Sequence, residues 1–270
     1  MSTLVTGATG MVGRRVLTEL KRRGLPAVGA SRTAEKRLDW TDTSNWAEVL
    51  EGASRIFVVT PVGMALGHRV AAFLERAAEA GVERAVVMTA MGTEHAPSDS
   101  DQRAAESKAR ELFGQVTVLR PNWLFQDFTE GVLANLARAR GGRLELPVTR
   151  RTAISFVDAR DVAAAAVESL VGDHGGKEYT LTGPQALTVG QVVRWTKGTD
   201  SPVWRFKPVD ESRFYFRAFD RGWGERYIDT LNERFAAAVR GRAAETTDDV
   251  HAALGREAIP LARFVRESTL

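Results

Sequence analysis

The stretch GATGMVG, Gly7 to Gly13, decides the fold. It follows a short β-branched run and precedes an amphipathic stretch, so it is predicted to join a first strand to a first helix. Gly7 permits the tight turn, Gly10 lets a pyrophosphate approach the backbone, and Gly13 lets the helix pack closely on the strand. The helix N-terminus behind the turn favours an anion. The motif therefore predicts a dinucleotide-binding unit.

The chain around this turn alternates β-branched runs with amphipathic stretches over its first 120 residues. The predicted strands are Leu4–Thr6, Ala27–Ser31, Arg37–Asp39, Arg55–Thr60, Arg84–Thr89 and Val116–Arg120. The predicted helices are Met11–Arg23, Asn45–Glu51, Met64–Ala80 and Asp101–Phe113. A glycine directly follows each helix, as a left-handed C-cap requires. This pattern predicts an α/β, Rossmann-type fold with a doubly wound parallel sheet.

A small, mostly helical substrate-binding part is predicted after Arg120, where the alternation loosens. We expect a helix from Trp123 to about Arg140, a strand ending at Val157, a helix capped by Asp158, a strand over Glu178–Thr182 and a helix that begins near Thr188. Eight aromatic residues fall within residues 204–227 and form either a lid core or a substrate cage. We expect an NADP-binding domain over residues 1–150, and a mixed segment over residues 151–270 that adds a late strand and a helical lid.

The composition excludes several function classes. The 270 residues hold 37 basic and 34 acidic side chains, an excess of three, which argues against nucleic acid as a partner. There is no cysteine, and the four histidines lack metal-ligand spacing, so no metal is expected. No apolar stretch is long enough to cross a bilayer, and the first residues lack a secretory leader pattern. We expect a cytoplasmic protein with small-molecule partners, no membrane contact and a homodimer as an open option.

The end of the second predicted strand selects the cofactor. A carboxylate at this position binds the ribose 2′-hydroxyl of NAD, whereas a basic side chain pairs with the 2′-phosphate of NADP. Ser31 and Arg32 stand there, with Lys36 close behind, so NADP(H) is favoured. The alternative for Arg32 is a solvated loop residue. Asp39 is expected near the adenine or, alternatively, as a helix N-cap.

Seven blocks of sequence, all in order, resemble one family. They are GATGMVG (Gly7–Gly13), RLDWTD (Arg37–Asp42), FVVTP (Phe57–Pro61), VVMTAMG (Val86–Gly92), VLRPNWLFQDF (Val118–Phe128), FVDARDVA (Phe156–Ala163) and YTLTGPQALT (Tyr179–Thr188). Together they are similar to the NmrA-like group of atypical short-chain dehydrogenase/reductases, and the RLDWTD block resembles its ergot-type branch. The family includes NADPH-dependent reductases of quinones, isoflavone-type compounds and ergot-alkaloid iminium ions, and regulators that sense NADP without catalysis.

The resemblance implies a set of cofactor contacts at the carboxyl edge of the sheet. The pyrophosphate would be held by Gly7, Thr9, Gly10, Met11 and Val12, and the 2′-phosphate by Ser31 and Arg32. The ribose and the nicotinamide would be lined by Thr60, Pro61, Val62, Thr89, Ala90 and Met91 and closed by Pro121, Asn122 and Trp123.

One catalytic pair is missing. Short-chain reductases usually pair a tyrosine with a lysine four residues later, which lowers the pKa of the phenol. The residues four after the three tyrosines are Gly183, Phe219 and Leu231, so the pair is absent from the sequence. Lys108 is the remaining catalytic candidate, either for a developing oxyanion or for the nicotinamide ribose, with a solvated helix lysine as the alternative. Asp127, as a distant acid, and His95, on a mobile loop, are further candidates.

Aromatic side chains are the candidate substrate contacts. They are Trp123, Phe125, Phe128 and Trp223. The first three cannot share one helix face, so some are predicted to line a pocket and others to lie in the core. We expect an NADPH-dependent reductase of a small aromatic quinone, imine, iminium or carbonyl compound in specialised metabolism, because such acceptors need little proton donation. The alternatives are a catalytically inactive NADP(H)-sensing regulatory protein and a non-redox, cyclase-type catalyst.

Overall fold

The predicted alternation gives a seven-stranded parallel sheet in the computed structural model, which describes residues 2–197 and 199–268. The strands are β1 (Ser2–Thr6), β2 (Ala27–Ser31), β3 (Lys36–Arg37), β4 (Ala53–Val59), β5 (Arg84–Met88), β6 (Gln115–Leu119), β7 (Arg143–Leu146), β8 (Ala153–Ile154), β9 (Glu178–Tyr179), β10 (Leu187–Thr188) and β11 (Arg205–Pro208). The sheet order is β3-β2-β1-β4-β5-β6-β9. The strand order reverses between β1 and β4, which opens a crevice for ligands at the carboxyl edge.

Helices cover both faces of this sheet and form a separate C-terminal layer. They are α1 (Gly13–Arg22), α2 (Trp46–Leu50), α3 (Gly67–Glu79), α4 (Asp101–Leu112), α5 (Val132–Arg138), α6 (Ala159–Val171), α7 (Val189–Thr196), α8 (Glu211–Phe219), α9 (Glu225–Val239), α10 (Asp249–Leu254) and α11 (Leu261–Glu267). Short 3₁₀ helices occupy Thr93–His95 and Phe125–Phe128. No helix within the described residues is both long and apolar enough to cross a membrane.

The central strands are buried on both faces, which explains their nearly continuous apolar runs. In β4, Ile56 and Val58 join the core under α2, α3 and α4, whereas Phe57 between them joins the core under α1 and α6. Successive side chains of a strand point to opposite faces, so one run of residues supplies both layers. The six predicted strands are confirmed. The third is displaced to β3, because Asp39 instead accepts hydrogen bonds from the backbone N–H and hydroxyl of Thr41, at 2.9 and 2.7 Å, in a local turn.

The long helix predicted from Trp123 to Arg140 is wrong in its first half. Val157 pairs with this segment: its N–H donates to the Trp123 carbonyl (2.9 Å), and its own carbonyl accepts from the Phe125 N–H (3.0 Å). The chain is therefore extended at Leu124 and forms only a 3₁₀ turn afterwards. Gly131, which is also extended, separates that turn from α5.

The predicted helix starts at Asp158 and Thr188 are confirmed. The Asp158 carboxylate accepts from the Arg160 N–H (2.8 Å) and caps α6. Thr188 and Gln191 form a reciprocal capping box at the start of α7. The late strand β9 extends the main sheet by pairing with β6. The core of the C-terminal layer begins at Trp123, well before the division expected at residue 150, because α5 and β7 pack with the later helices.

A buried carboxylate on α4 fixes that helix to the end of two strands. Glu106 accepts from the Thr89 hydroxyl (2.8 Å) and from two nitrogens of Arg120 (2.9 and 2.6 Å). Arg110 donates to it as well (2.9 Å). Burial disfavours the charged form, but these donors outweigh burial and hold the pKa of Glu106 below its usual value. The carboxylate therefore stays ionised and ties α4 to β5 and β6.

Replacing Glu106 with alanine should lower the free energy of unfolding by about 3 kcal/mol, because buried Arg120 loses its main carboxylate partner. Since the folded pKa of Glu106 is lowered, its stabilisation is present above the unfolded pKa and is lost as pH falls through the folded pKa. Urea unfolding of Glu106→Ala at pH 7 and at a pH below 4.5, the ordinary pKa of a glutamate, checks both points. Glu111→Ala, an exposed carboxylate on the same helix, is the control and should change little. An equal loss at both pH values would contradict the linkage.

Candidate active site

The glycine-rich turn joins β1 to α1 at the carboxyl edge of the sheet. Gly7 has a φ of +61°, and its carbonyl accepts from the Gly10 N–H at 2.8 Å. A Cβ on Gly13 would overlap that same carbonyl oxygen. Glycine at position 13 is therefore what allows α1 to pack this closely on β1.

This turn fits a pyrophosphate. Thr9 and Gly10 are exposed, and the first turn of α1 holds no acidic residue. Val12 provides no side-chain cap, and no backbone carbonyl of the described residues accepts from the N–H groups of Met11 and Val12. Uncapped N–H groups at a helix N-terminus are the donors that a phosphate takes.

The end of β2 continues this surface. The Thr9 hydroxyl donates to the Ser31 hydroxyl at 3.2 Å, which joins the glycine turn to the predicted 2′-phosphate position. Arg32 is exposed beside it. Hydrogen bonds from Thr41 are the main cause of the lowered pKa of the Asp39 carboxyl, and the positive charges of Arg32 and Arg37 contribute. Two guanidinium groups therefore lie at this end of the crevice.

Lys36 is occupied elsewhere. Its Nζ donates to the carbonyls of Glu48, Val49 and Glu51 at 2.9 to 3.0 Å and so caps the C-terminus of α2. Lys36, which stands close behind Arg32 in the sequence, is therefore bound at α2 and not at the predicted 2′-phosphate position. Arg37 lies nearer to that position, because it is opposite Ser31 in the parallel register of β2 and β3.

The loops after β4, β5 and β6 are linked to one another. Thr60 donates to the Met88 carbonyl through both its N–H and its hydroxyl, at 3.1 and 3.0 Å. The Met91 N–H donates to the Pro121 carbonyl at 3.0 Å. The structure thus gathers at one edge the residues predicted for the ribose and the nicotinamide, namely Thr60, Pro61, Val62, Thr89, Ala90, Met91 and Pro121.

Asn122 and Trp123 bind the C-terminal layer to that edge. The Asn122 amide nitrogen donates to the Ser155 hydroxyl (2.8 Å) and to the Ala243 carbonyl (2.9 Å). Trp123 stacks on Phe235 with ring centroids 4.8 Å apart. Asn122 is therefore a buried structural link, and Trp123 is largely buried behind the crevice.

Helix α9 forms a wall of the crevice. A Cβ on Gly63, in the loop after β4, would lie 2.5 Å from the Cα of Tyr227 on α9. A Cβ on Gly131 would overlap an oxygen of Asp127 and lie 2.6 Å from the Cε of Met11 in the glycine turn. Tyr227 is therefore held against the loop after β4, and Gly131 brings the Asp127 segment close to Met11 of the glycine turn.

Asp127 and Tyr227 interact electrostatically with Arg234. Burial raises the pKa of Asp127 to about 6, although the N–H of Leu124 and the charge of Arg234 oppose this. Burial and the Asp127 carboxylate raise the pKa of Tyr227, so its phenol stays protonated at neutral pH. Burial lowers the pKa of Arg234, whose Cζ lies 4.5 Å from the centre of the Trp123 ring.

The other catalytic candidates have different surroundings. Lys108 Nζ lies 3.1 Å from a Glu75 oxygen and 3.0 Å from a Glu111 oxygen, between α3 and α4. It is two residues from Glu106 and therefore faces away from Thr89, so the expectation of a catalytic Lys108 gains no support. His95 is largely exposed, 3.9 Å from Glu94.

Two of the four predicted substrate contacts are core residues. Phe125 and Phe128 are 1% and 0% exposed, and both pack on Phe156. The expectation that they contact substrate is corrected on this point, because the extended segment at Leu124 turns both rings inward. Trp223 is partly buried with its ring 5.4 Å from that of Tyr227, and its contact with substrate stays a prediction.

The eight aromatic residues within 204–227 neither pack into one lid core nor form one substrate cage. Phe214 is buried, whereas Trp204, Phe216 and Phe219 are exposed. Tyr227 alone among these residues is placed against a cofactor loop by the contacts described above.

A family profile described as NAD(P)H-binding matches residues 7–172. The chain belongs to this NAD(P)H-binding family. It is an NAD(P)H-dependent oxidoreductase of the atypical short-chain dehydrogenase/reductase class, in the NmrA-like group, as the sequence blocks predict. The family assignment and the geometry of the glycine turn thus agree on the cofactor class.

Three known proteins illustrate the similarity. An NAD(P)H azoreductase of Xenophilus azovorans is 27% identical over 97% of this chain and 96% of its own. A (4-alkanoyl-5-oxo-2,5-dihydrofuran-3-yl)methyl phosphate reductase of Streptomyces griseus is 32% identical over 68% of this chain and 69% of its own. The structure of an NADPH-dependent quinone oxidoreductase of Escherichia coli, solved with NADPH, superposes with a TM-score of 0.77 at 20% identity, covering 99% of both chains.

Three members of this site were not predicted from the sequence. Arg37 could have been found from the expected pairing of the second and third strands, which brings it beside Ser31. Tyr227 and Arg234 carry no local motif and reach the crevice only because α9 packs on the loop after β4. Asp127 is a candidate acid from the sequence, but the sequence does not indicate which residues surround it.

Arg32→Ala and Arg37→Ala should each weaken NADPH binding by roughly 1–3 kcal/mol through the loss of a charge-assisted contact, and NADH binding little. Calorimetric titration with both cofactors measures this. Arg76→Ala, an exposed helix arginine paired with Glu79, is the control. Equal affinity of the unmodified protein for both cofactors would refute the assignment of these two arginines to the 2′-phosphate.

Proposed function

We propose that the protein uses NADPH to reduce small conjugated acceptors of the quinone, azo, imine or iminium type, with specialised metabolism as its setting. The observation that carries the proposal is the composition of the crevice: it has a pyrophosphate-binding turn but no tyrosine–lysine pair. Tyr179 is bonded to His174 at 2.8 Å on the far strand β9, and Tyr227 has no lysine within its recorded contacts. An acceptor that spreads its negative charge needs no such pair.

The relatives support this substrate class. One is named for azo reduction, one for reduction of an oxo-dihydrofuran phosphate and one for quinone reduction. An azo group, a quinone and an acyl-substituted dihydrofuranone are all conjugated electrophiles. The resemblance of the RLDWTD block to the ergot-type branch supports iminium acceptors and the metabolic setting.

The chain's own contribution is positioning. Bound NADPH supplies the hydride from its nicotinamide ring. The linked loops at Thr60, Thr89 and Pro121 fix the nicotinamide site, and α9 covers it. The phenol of Tyr227 stays protonated and can donate a hydrogen bond to an oxygen of the substrate. Solvent then supplies the proton that a neutral quinone, azo or imine acceptor needs to complete the reduction, whereas an iminium ion needs none.

A second candidate is an NADP(H)-sensing binding protein. The absence of the tyrosine–lysine pair favours it as well, because such a protein needs the glycine turn but no chemistry at the other end of the cofactor. A non-redox, cyclase-type catalyst is the third candidate, and no contact of the described residues favours it specifically.

To test the proposal, purified protein is mixed with NADPH and a panel of quinones, azo dyes and cyclic iminium compounds. Oxidation of NADPH is followed at its nicotinamide absorbance band, with products identified by mass spectrometry. We expect turnover with at least one class. Gly13→Val, which closes the space beside the Gly7 carbonyl, should abolish both turnover and NADPH binding. Tight NADPH binding with no turnover across the panel would favour the sensing protein instead.

A further inference from the structure

Arg234 is a partly buried guanidinium without a carboxylate partner. No acid oxygen of the described residues lies within ion-pair distance of it, and its recorded direct contact is with the face of the Trp123 ring. A guanidinium carries five N–H donors, and none of the nitrogens of Arg234 is among the fully buried unpaired atoms of the described residues, so they are open to solvent. The N–H donors of Arg234 therefore find their hydrogen-bond acceptors in solvent or in a ligand.

The same is true of the Tyr227 hydroxyl, for which no hydrogen-bond partner is recorded among the described residues. Tyr227 and Arg234 are seven residues apart on α9, which places them on one side of the helix, two turns apart. Asp127 interacts electrostatically with both. Its carboxylate is already used locally, because it accepts from the Leu124 N–H at 3.3 Å and from the Val132 N–H.

The position of this group relative to the cofactor loops is fixed by three contacts. Tyr227 lies against Gly63 after β4, and Gly131 lies close to both Asp127 and Met11 of the glycine turn. Trp123, under Arg234, follows Pro121, whose carbonyl binds the loop after β5. The unpaired donors are thus at the inner end of the crevice, opposite the exposed arginines that face the 2′-phosphate.

We infer that Arg234 and Tyr227 form an oxyanion-binding subsite for the substrate, so that the preferred acceptors carry a sulfonate, phosphate or carboxylate group. The inference rests on the proposed reductase function and narrows its substrate class. The planar guanidinium binds such a group through two parallel N–H bonds, and the phenol adds a third donor. The pyrophosphate of the cofactor has the same chemistry, so the experiment must separate the two anions.

Asp127 modulates this subsite. The charged groups that face it are Arg234 and Tyr227 on α9 and, within its own segment, Glu130, which pairs with Arg14 and Arg15 of α1. Above its pKa of about 6, Asp127 partly cancels the field of Arg234. Below that pH the cancellation is lost, so an anionic substrate should bind more tightly while a neutral one is unaffected.

The test compares 1,4-naphthoquinone with its 2-sulfonate, measuring kcat/KM for each in the wild type, Arg234→Gln, Arg234→Lys and Tyr227→Phe. We expect Arg234→Gln to lower kcat/KM for the sulfonate by roughly ten- to a hundredfold, the usual cost of losing a charge-assisted contact, and to leave the neutral quinone within about twofold. Arg234→Lys should restore part of the loss. Arg240→Gln, exposed at the end of the same helix, is the matched control and should behave as the wild type.

The outcomes are distinguishable. An equal loss of kcat/KM for both quinones in Arg234→Gln would overturn the subsite. A higher dissociation constant for NADPH in Arg234→Gln would also overturn it, because that result assigns Arg234 to the cofactor. A rise in the ratio of kcat/KM for the sulfonate to kcat/KM for the neutral quinone as pH falls through about 6, abolished in Asp127→Asn, supports the subsite.

A failure of the proposed reductase function gives a different result. In that case the wild type turns over neither quinone nor any other acceptor while NADPH still binds. Direct calorimetric binding of naphthalene sulfonate to the NADPH-bound protein then decides the subsite alone: binding that is lost in Arg234→Gln supports it, and no binding overturns it.

Discussion

The close contact between Gly13 and the carbonyl of Gly7 is the constraint on which the cofactor-binding part of the fold depends. There is no room for a Cβ at this point, so α1 begins directly on the end of β1 and its N-terminal N–H groups point into the crevice. Gly10, which lies between them, bonds back to the same carbonyl and leaves the backbone exposed. A larger residue at position 13 would push α1 outward, and the packing of α1 on α6 and the donors for the pyrophosphate would be displaced together.

The C-terminal layer is attached to this half by polar contacts at the end of β6. Asn122 reaches Ser155 and Ala243, and the Ser155 hydroxyl also donates to the Glu245 carbonyl at 2.6 Å. These groups are buried, so each bond removed would leave an unsatisfied partner, and the segment after β6 has one register. That register places Trp123 under α9 and turns Phe125 and Phe128 into the core. The packing of Trp123 on α9 therefore depends on the amide of Asn122.

The sheet could be predicted from the sequence because each βαβ unit is a local pattern of apolar runs, glycine and helical spacing. The glycine turn, Ser31 and Arg32 were predictable for the same reason. The long helix from Trp123 failed, because its apolar spacing suits a helix while the pairing with Val157, more than thirty residues later in the chain, holds it extended. Tyr227 lies more than 160 residues beyond the end of β4, and Arg234 lies more than 110 residues beyond the end of β6. Their role depends on tertiary packing that no local pattern records.

The composition explains why one unpaired arginine is informative. With six lysines among 37 basic residues, the chain relies on guanidinium groups, and two of its fully buried carboxylates bind arginines: Glu106 binds Arg120 and Arg110, and Asp158 binds Arg160. Exposed arginines without partners, such as Arg32, are hydrated at little cost. Arg234 belongs to neither group, since burial lowers its pKa and no carboxylate of the described residues lies within ion-pair distance, although Asp127 acts on it from farther away. The guanidinium of Arg234, which lies on the Trp123 ring near the loops predicted to bind the cofactor, can therefore take its balancing charge from a ligand, as the proposed oxyanion subsite requires.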